Sequence, residues 1–113
     1  MTEIITVEDF MKVDVRVGKI LSVDDFPNAR KPTYKLTIDF GEEIGIKRSS
    51  AQITSLYTKE ELVGTSILAV VNFSPRQIAD FMSEVLVLGL TEENGSVVLI
   101  QPEREVTVGI RLT

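Results

Sequence analysis

Val13-Asp14-Val15-Arg16-Val17-Gly18-Lys19-Ile20 is the stretch on which the fold turns. Three valines at odd positions alternate with Asp14 and Arg16, the period-two pattern of a strand with one buried face. After Gly18 the parity breaks, because the next apolar residue, Ile20, sits at an even position. A glycine at such a slip predicts a β-bulge. A long strand bent at a bulge can pair on both sides of a small closed sheet.

Outward from that strand the pattern repeats. Asp24 to Pro32 holds two prolines and an asparagine and reads as a loop. Tyr34, Leu36, Ile38 and Phe40 alternate with polar residues to give a second strand, turned by Gly41-Glu42-Glu43. Ile44 and Ile46 begin a third, which runs into Lys47-Arg48-Ser49-Ser50. Thr58 to Glu61 has capping-box spacing for a short helix, with Gly64 placed to end it. Ile67 to Val71 and Val85 to Leu90 are nearly continuous apolar runs, expected of strands buried on both faces. Asn94-Gly95 predicts a hairpin turn, with Val97 to Ile100 returning until Pro102. Val106, Val108, Ile110 and Leu112 alternate once more, and Thr6 to Met11 suits one helical turn capped by Thr6. Five main strands, a helix between the third and fourth, and terminal extensions predict an all-β OB-fold, a five-stranded Greek-key barrel.

The 113 residues are expected to form a single domain, residues 1–113, with 43% hydrophobic residues supplying the core. No apolar run approaches the ~20 residues of a membrane span, so no membrane insertion is expected. The N-terminus lacks the pattern of a signal peptide, so a cytoplasmic location is expected. Cysteine and histidine are absent. Disulfides, nucleophile–histidine couples and histidine metal ligands are therefore excluded. Asp24-Asp25 and Glu42-Glu43 read as solvated turn charges, because neighbours on a strand point to opposite faces. Neither catalysis nor a cofactor or metal is expected.

The net charge is −5, against a binder held by bulk electrostatics. The segment from Phe26 to Gln52 carries five positives and three negatives, or +2, which leaves −7 for the remainder. That segment could form a basic face on an acidic body.

The candidate site centres on Asn72 to Glu84, read as a loop between the fourth and fifth strands. Polar groups able to grip phosphate or base are mixed there with apolar side chains that a loop has no local reason to carry. In an OB-fold the binding surface uses strands two and three with the loops after strands one and four. The candidate nucleic-acid-binding residues on that face are Arg30, Lys31, Lys47, Arg48, Ser49, Ser50, Asn72, Arg76 and Ser83. Each has a plainer alternative. Arg76 could pair with Asp80 or Glu84, Asn72 could close a turn, and the serines could cap turns. Phe73, Ile78, Phe81 and Met82 could form an apolar groove for polypeptide. They could instead fold over the barrel mouth or pack in a dimer contact. The acidic body suggests basic peptide partners. Arg16 could face a ligand or pair with Asp14 or a cross-strand carboxylate.

The opening strand, together with Phe26-Pro27-Asn28-Ala29-Arg30, Ile38-Asp39-Phe40-Gly41, Ile44-Gly45-Ile46-Lys47, Ser49 to Thr54, Val70 to Ala79 and Ser83 to Gly89, resembles the tRNA-binding-domain family. Its members occur at the C-terminus of many methionyl-tRNA synthetases, in EMAP-like cytokine precursors and as stand-alone proteins. The match is closer to the CsaA group, described as export-related chaperones. The resemblance implies an OB-fold, a homodimer built through terminal extensions, and no catalysis. It leaves two ligands open: tRNA, and unfolded or exported polypeptide. The sequence departs from the synthetase-type pattern at Ser50-Ala51-Gln52 and Ser83-Glu84-Val85-Leu86, where the serines match but the glycine and the methionine do not.

Overall fold

The computed structural model describes residues 2–113. Along the chain come α1 (Val7–Met11), β1 (Val15–Asp25), β2 (Tyr34–Asp39), α2 (Gly41–Ile44), β3 (Ile46–Ala51), α3 (Lys59–Leu62) and β4 (Ser66–Val70). The second half is cut finer, into β5 (Arg76–Ile78), β6 (Phe81–Ser83), β7 (Leu86–Val87), β8 (Gly89–Thr91) and β9 (Val97–Leu99). One antiparallel sheet has the order β3-β2-β1-β4-β7. Three consecutive strands with the fourth returning beside the first is a Greek key. The sheet curls until the approach to β7 meets β3, where the Glu84 N–H donates to Arg48 O at 2.8 Å. The result is the nearly closed five-stranded barrel of an OB-fold.

β1 can serve both sides because it is long. Val15 to Lys19 pairs with β4, and Lys19 to Asp25 pairs with β2. The bulge lies at Leu21, not at Gly18 as the lost parity suggested. Ile20 faces Ile38 and Ser22 faces Thr37, so Leu21 is the extra residue. Gly18 has a different task. A Cβ there would lie 2.6 Å from Ile38 Cγ2 and from Phe40 Cε1. The missing side chain lets two core residues press onto the strand.

The core is Ile20, Leu36, Ile38, Phe40, Ile53, Leu62, Ile67, Ala69, Val85 and Leu99. Burying each large member contributes about 1.5–3 kcal/mol. α3 supplies Leu62, and its start is held by a capping box. The Glu61 N–H donates to Thr58 Oγ1 at 3.2 Å, and the Thr58 N–H donates to Glu61 Oε1 at 2.7 Å. α1 is capped in the same way by Thr6 and Asp9.

Two further expectations give way to the structure. Val85 to Leu90 is not one strand buried on both faces. It divides at Leu88 into β7 and β8, and Leu86 and Leu90 are exposed. After Leu88 the chain pairs with β9 instead, and Gly89 permits the approach: a Cβ on Gly89 would lie 2.6 Å from Val97 Cγ1. The segment Asn72 to Glu84 is not wholly a loop, because β5 and β6 form a hairpin around Ala79-Asp80. Ala79 adopts φ +53°, which a non-glycine residue rarely takes. The alternation from Val106 to Leu112 belongs to the C-terminal extension, as expected, and forms an isolated bridge at Arg111 with Arg16. It lies along the edge of β1 that β2 leaves free, with the Val17 N–H donating to Ile110 O at 3.0 Å and the Leu112 N–H to Val15 O at 2.8 Å.

Arg16 joins these extensions to the barrel. Its Nε donates to Asp14 Oδ1 at 2.6 Å, and its Nη1 donates to Glu43 Oε1 at 2.7 Å and Gly109 O at 2.9 Å. Arg111 lies 3.5 Å from the same Asp14 carboxylate, and its Nη2 donates to Met11 O at 2.6 Å. Arg16 is thus a staple, not a ligand group. The hydrogen bond from Arg16, with the charges of Arg16 and Arg111, holds the Asp14 carboxyl below its ordinary 3.8 against the opposing effect of burial. A carboxyl whose folded pKa lies below its unfolded one contributes stability above the unfolded value. That contribution is lost as pH falls through the folded value. Asp14→Asn is expected to melt below wild type at pH 7, with the gap narrowing as acid takes the pH below the ordinary carboxyl value of 3.8. Thermal melts followed by circular dichroism across pH check this.

Candidate functional site

A groove of about 950 Å³ opens on one side of the barrel. One wall is the loop after β1, Asn28 to Lys31 with Thr33. The end of β3 and the residues after it, Ser50 to Ile53, form the second wall. The hairpin β5–β6 with Phe73 and Ser74, and the run from Ser83 to Gly89, complete it. Its floor is apolar, from Ile53, Val85 and Leu99.

Arg30, Lys31 and Arg76 reach this groove from separate parts of the chain. Among the described residues none of the three makes an ion pair or a side-chain hydrogen bond. Neither carboxylate expected to pair with Arg76 forms an ion pair with it among the described residues. Asp80 accepts from Asn28 Nδ2 at 3.5 Å, while Glu84 accepts the Arg48 N–H at 3.0 Å and lies 4.0 Å from Lys47 Nζ. Among the described residues, Glu84 is also the one acidic residue lining the groove. On a chain of net charge −5, three unneutralised cations around one cleft make a local field of opposite sign.

The remaining candidates separate into those that face this region and those that hold the barrel together. Ser49 is buried and donates to Val85 O at 2.9 Å. Ser83 accepts the Ser50 N–H at 3.2 Å through its Oγ. These hydroxyls lace β3 to the chain before β7, so Ser49 is not available to a ligand. Ser50 and Ser83 still line the groove. Asn72 is consumed by the N-terminal extension: its Oδ1 accepts the Asp14 N–H at 3.0 Å and its Nδ2 donates to Lys12 O at 2.7 Å. Lys47 does not line the groove. It pairs across from the buried Ile38, shares that core-facing side of β3, and reaches Glu84.

Arg48 points the other way, onto the outer face, with its guanidinium 4.6 Å from the Phe81 ring centre. Phe81 is only 4% exposed and stacks edge-on with Phe26 at 5.4 Å. It therefore pins the hairpin to the barrel and is not a free apolar contact. Lys35, counted in the basic segment but not among the candidate site residues, stands 5.2 Å from the Phe26 ring centre and 5.8 Å from that of Phe81. Its outward place in the alternation of the second strand, shared with Arg48 on the third, was the available signal. Of the apolar candidates, Phe73 (53% exposed) and Met82 remain open to solvent, and Ile78 is half-buried in the groove wall. Among the described residues, no cluster of three or more acidic side chains could hold a metal, and no helix is long and apolar enough to cross a membrane.

The barrel and its cleft define an OB-type binding domain. The chain belongs to the family described as putative tRNA binding domain, whose signature matches residues 15–111. It is 34% identical over 110 residues to the methionine–tRNA ligase of Thermococcus onnurineus, covering 97% of this chain but only 14% of that enzyme. Two solved structures are similar over the whole chain. Chaperone CsaA from Bacillus anthracis str. Ames superimposes with a TM-score of 0.93 at 48% identity, covering 98% of this chain and 100% of that one. The CsaA chaperone protein from Picrophilus torridus gives a TM-score of 0.91 at 53% identity, covering 97% and 100%.

Proposed function

We propose that this chain is a non-catalytic tRNA-binding protein of the CsaA type, working in the cytoplasm as a homodimer of one-domain protomers, residues 1–113. The observation that carries the reading is the unneutralised trio Arg30, Lys31 and Arg76 around the groove. Cations without carboxylate partners are free to replace the counterions of phosphates. Phe73 offers an exposed ring for an unstacked base, and Ser50 and Ser83 offer hydroxyls nearby. Arg48 and Lys35 extend the cationic surface over the outer face of β2 and β3.

The dimer reading rests on the extensions. Ile4 is 96% exposed, and Ile5, Val7, Phe10, Ile110 and Leu112 are exposed as well. Arg111 and Asn72 fix the backbone of Met11 to Asp14, so the apolar groups of both ends are presented from one anchored platform. Such a patch fits a contact between copies.

With about three phosphates neutralised, log affinity should fall against log salt with a slope of roughly −2 to −3. Fluorescence anisotropy of labelled tRNA between about 50 and 200 mM salt measures it. Absence of binding at the low-salt end, or affinity indifferent to salt, would overturn the reading.

A second reading, a polypeptide-binding chaperone, is favoured by the exposed Phe73, Met82 and Leu86 beside the apolar floor. The cationic groove reverses the charge preference suggested by the acidic body. It would select acidic segments over basic ones.

A further inference from the structure

We propose that Asn94 is a site of spontaneous covalent modification. Its side-chain amide closes onto the Gly95 nitrogen and reopens as aspartate or isoaspartate, and the isoaspartate form loosens the β8–β9 hairpin that lines the groove.

The chain has three asparagines, and their surroundings differ. Asn72 is held at both ends of its amide, accepting the Asp14 N–H and donating to Lys12 O. Phe73 follows it, and a bulky neighbour crowds the nitrogen that would attack. Asn28 is followed by Ala29 and donates to Asp80 Oδ2 at 3.5 Å. Asn94 is followed by Gly95, at the exposed tip between β8 and β9. Glycine carries no side chain to shield its nitrogen. The space beside it is open, since a carbon added to Gly95 would meet nothing within 4 Å.

The turn also aims the amide. The Ser96 N–H donates to Asn94 Oδ1 at 2.9 Å, which folds the side chain forward over Gly95. That donor stands where negative charge gathers on the oxygen during attack. One bond opposes the reaction, the Gly95 N–H donating to Glu92 O at 2.9 Å. It closes an exposed turn, where local opening costs little.

In the reaction the Gly95 nitrogen loses its proton to hydroxide and attacks Asn94 Cγ. The new C–N bond forms, the Cγ–Nδ2 bond breaks, and Nδ2 takes a proton from water and leaves as ammonia. Water then opens the five-membered imide. Opening at Cγ gives aspartate. Opening at the main-chain carbonyl gives isoaspartate, whose chain runs through Cβ and is one carbon longer.

The longer chain cannot keep the closure of the tip, where the Glu92 N–H donates to Ser96 O at 2.8 Å and the Ser55 and Ser96 hydroxyls meet at 3.2 Å. The next pair inward is Thr91 with Val97, and Val97 and Leu99 of β9 both line the groove. A change at the tip therefore reaches the cleft along one short strand.

The test is warm incubation of the intact protein at mildly alkaline pH, followed over time by peptide mass mapping. Conversion of amide to acid is expected at Asn94, with Asn28 and Asn72 unchanged. A protease that cleaves before aspartate should cut only part of the product, because isoaspartate resists it. Gly95→Ala should slow the conversion roughly tenfold by shielding the nitrogen. An intact Asn94, equal conversion of all three asparagines, or an unchanged rate in Gly95→Ala would overturn the site. Hydrogen exchange at the Glu92 amide should quicken in the isolated isoaspartate form and not in Asn94→Asp, which has the charge without the extra carbon. Equal exchange in those two would overturn the loosening.

Discussion

Reversing the three groove cations together, Arg30→Glu, Lys31→Glu and Arg76→Glu, is expected to remove tRNA binding while leaving the fold intact. Each exchange changes the charge by two, so the variant moves from −5 to −11. The groove itself turns from locally positive to negative. Neutralising the trio to alanine would remove about three units of salt slope, roughly a 10- to 100-fold loss at low salt. Reversal adds repulsion to that loss and should bring affinity below detection. Stability should stay within about 0.5 kcal/mol, because all three side chains are exposed and bond to nothing among the described residues. Anisotropy with labelled tRNA and a urea melt of the same sample decide it. A variant that melts like wild type and still binds tRNA would place the site elsewhere, with Lys35 and Arg48 the next cations to test.

Gly18→Val is expected to have the largest effect on the fold. Even one added carbon would lie 2.6 Å from Ile38 Cγ2 and Phe40 Cε1, and 2.9 Å from Phe40 Cδ1. Phe40 and Ile38 are wholly buried and cannot retreat into solvent. β1 cannot shift either, because at this point it is bonded to β4 and to the C-terminal segment. Overpacking of a well-filled core costs about 1–3 kcal/mol and occasionally more. A branched side chain at this central position belongs to the upper end of that range. Gly95→Ala is the contrast. Its added carbon meets nothing within 4 Å, although the backbone is at φ +90°. Its cost is then only that of the left-handed conformation, about 1–2 kcal/mol. Paired urea denaturation curves compare the two. A Gly18→Val protein with wild-type stability would contradict the packing described for β1.

The barrel was legible because its signals are local. The alternation of Val13 to Val17 and of Tyr34 to Phe40, and the capping spacing of Thr58 and Glu61, each follow from residues within one element. What the sequence hid depends on partners far along the chain. The alternation from Val106 to Leu112 is a true strand pattern, yet its partner is the half-edge of β1 that β2 leaves free, which no local rule announces. The β5–β6 hairpin turns on Ala79-Asp80, which lacks the glycine or asparagine that marks such turns. Of the site, Arg30, Lys31 and Arg76 were recognisable as basic residues on loops expected to converge. Asn72, Ser49 and Phe81 carry the same chemistry as ligand residues, and only the structure distinguishes a group facing solvent from one already bonded. Lys35 was counted in the basic segment but not assigned to the site, because a lysine alternating on a strand reads as solvated surface.

The barrel's seam has a single backbone bond and is otherwise buttoned by side chains, where its other junctions are stitched by backbone. Those buttons, Glu84, Ser83 and Ser49, join residues 33 to 36 positions apart and sit beside the cleft. A cylinder fastened in this way breathes at the fastening first. Exchange of the Arg48 and Ser50 amides with solvent should precede that of the continuous β1–β2 ladder. Evolution can therefore loosen or tighten the cleft one hydroxyl at a time, without touching the sheet that supports it.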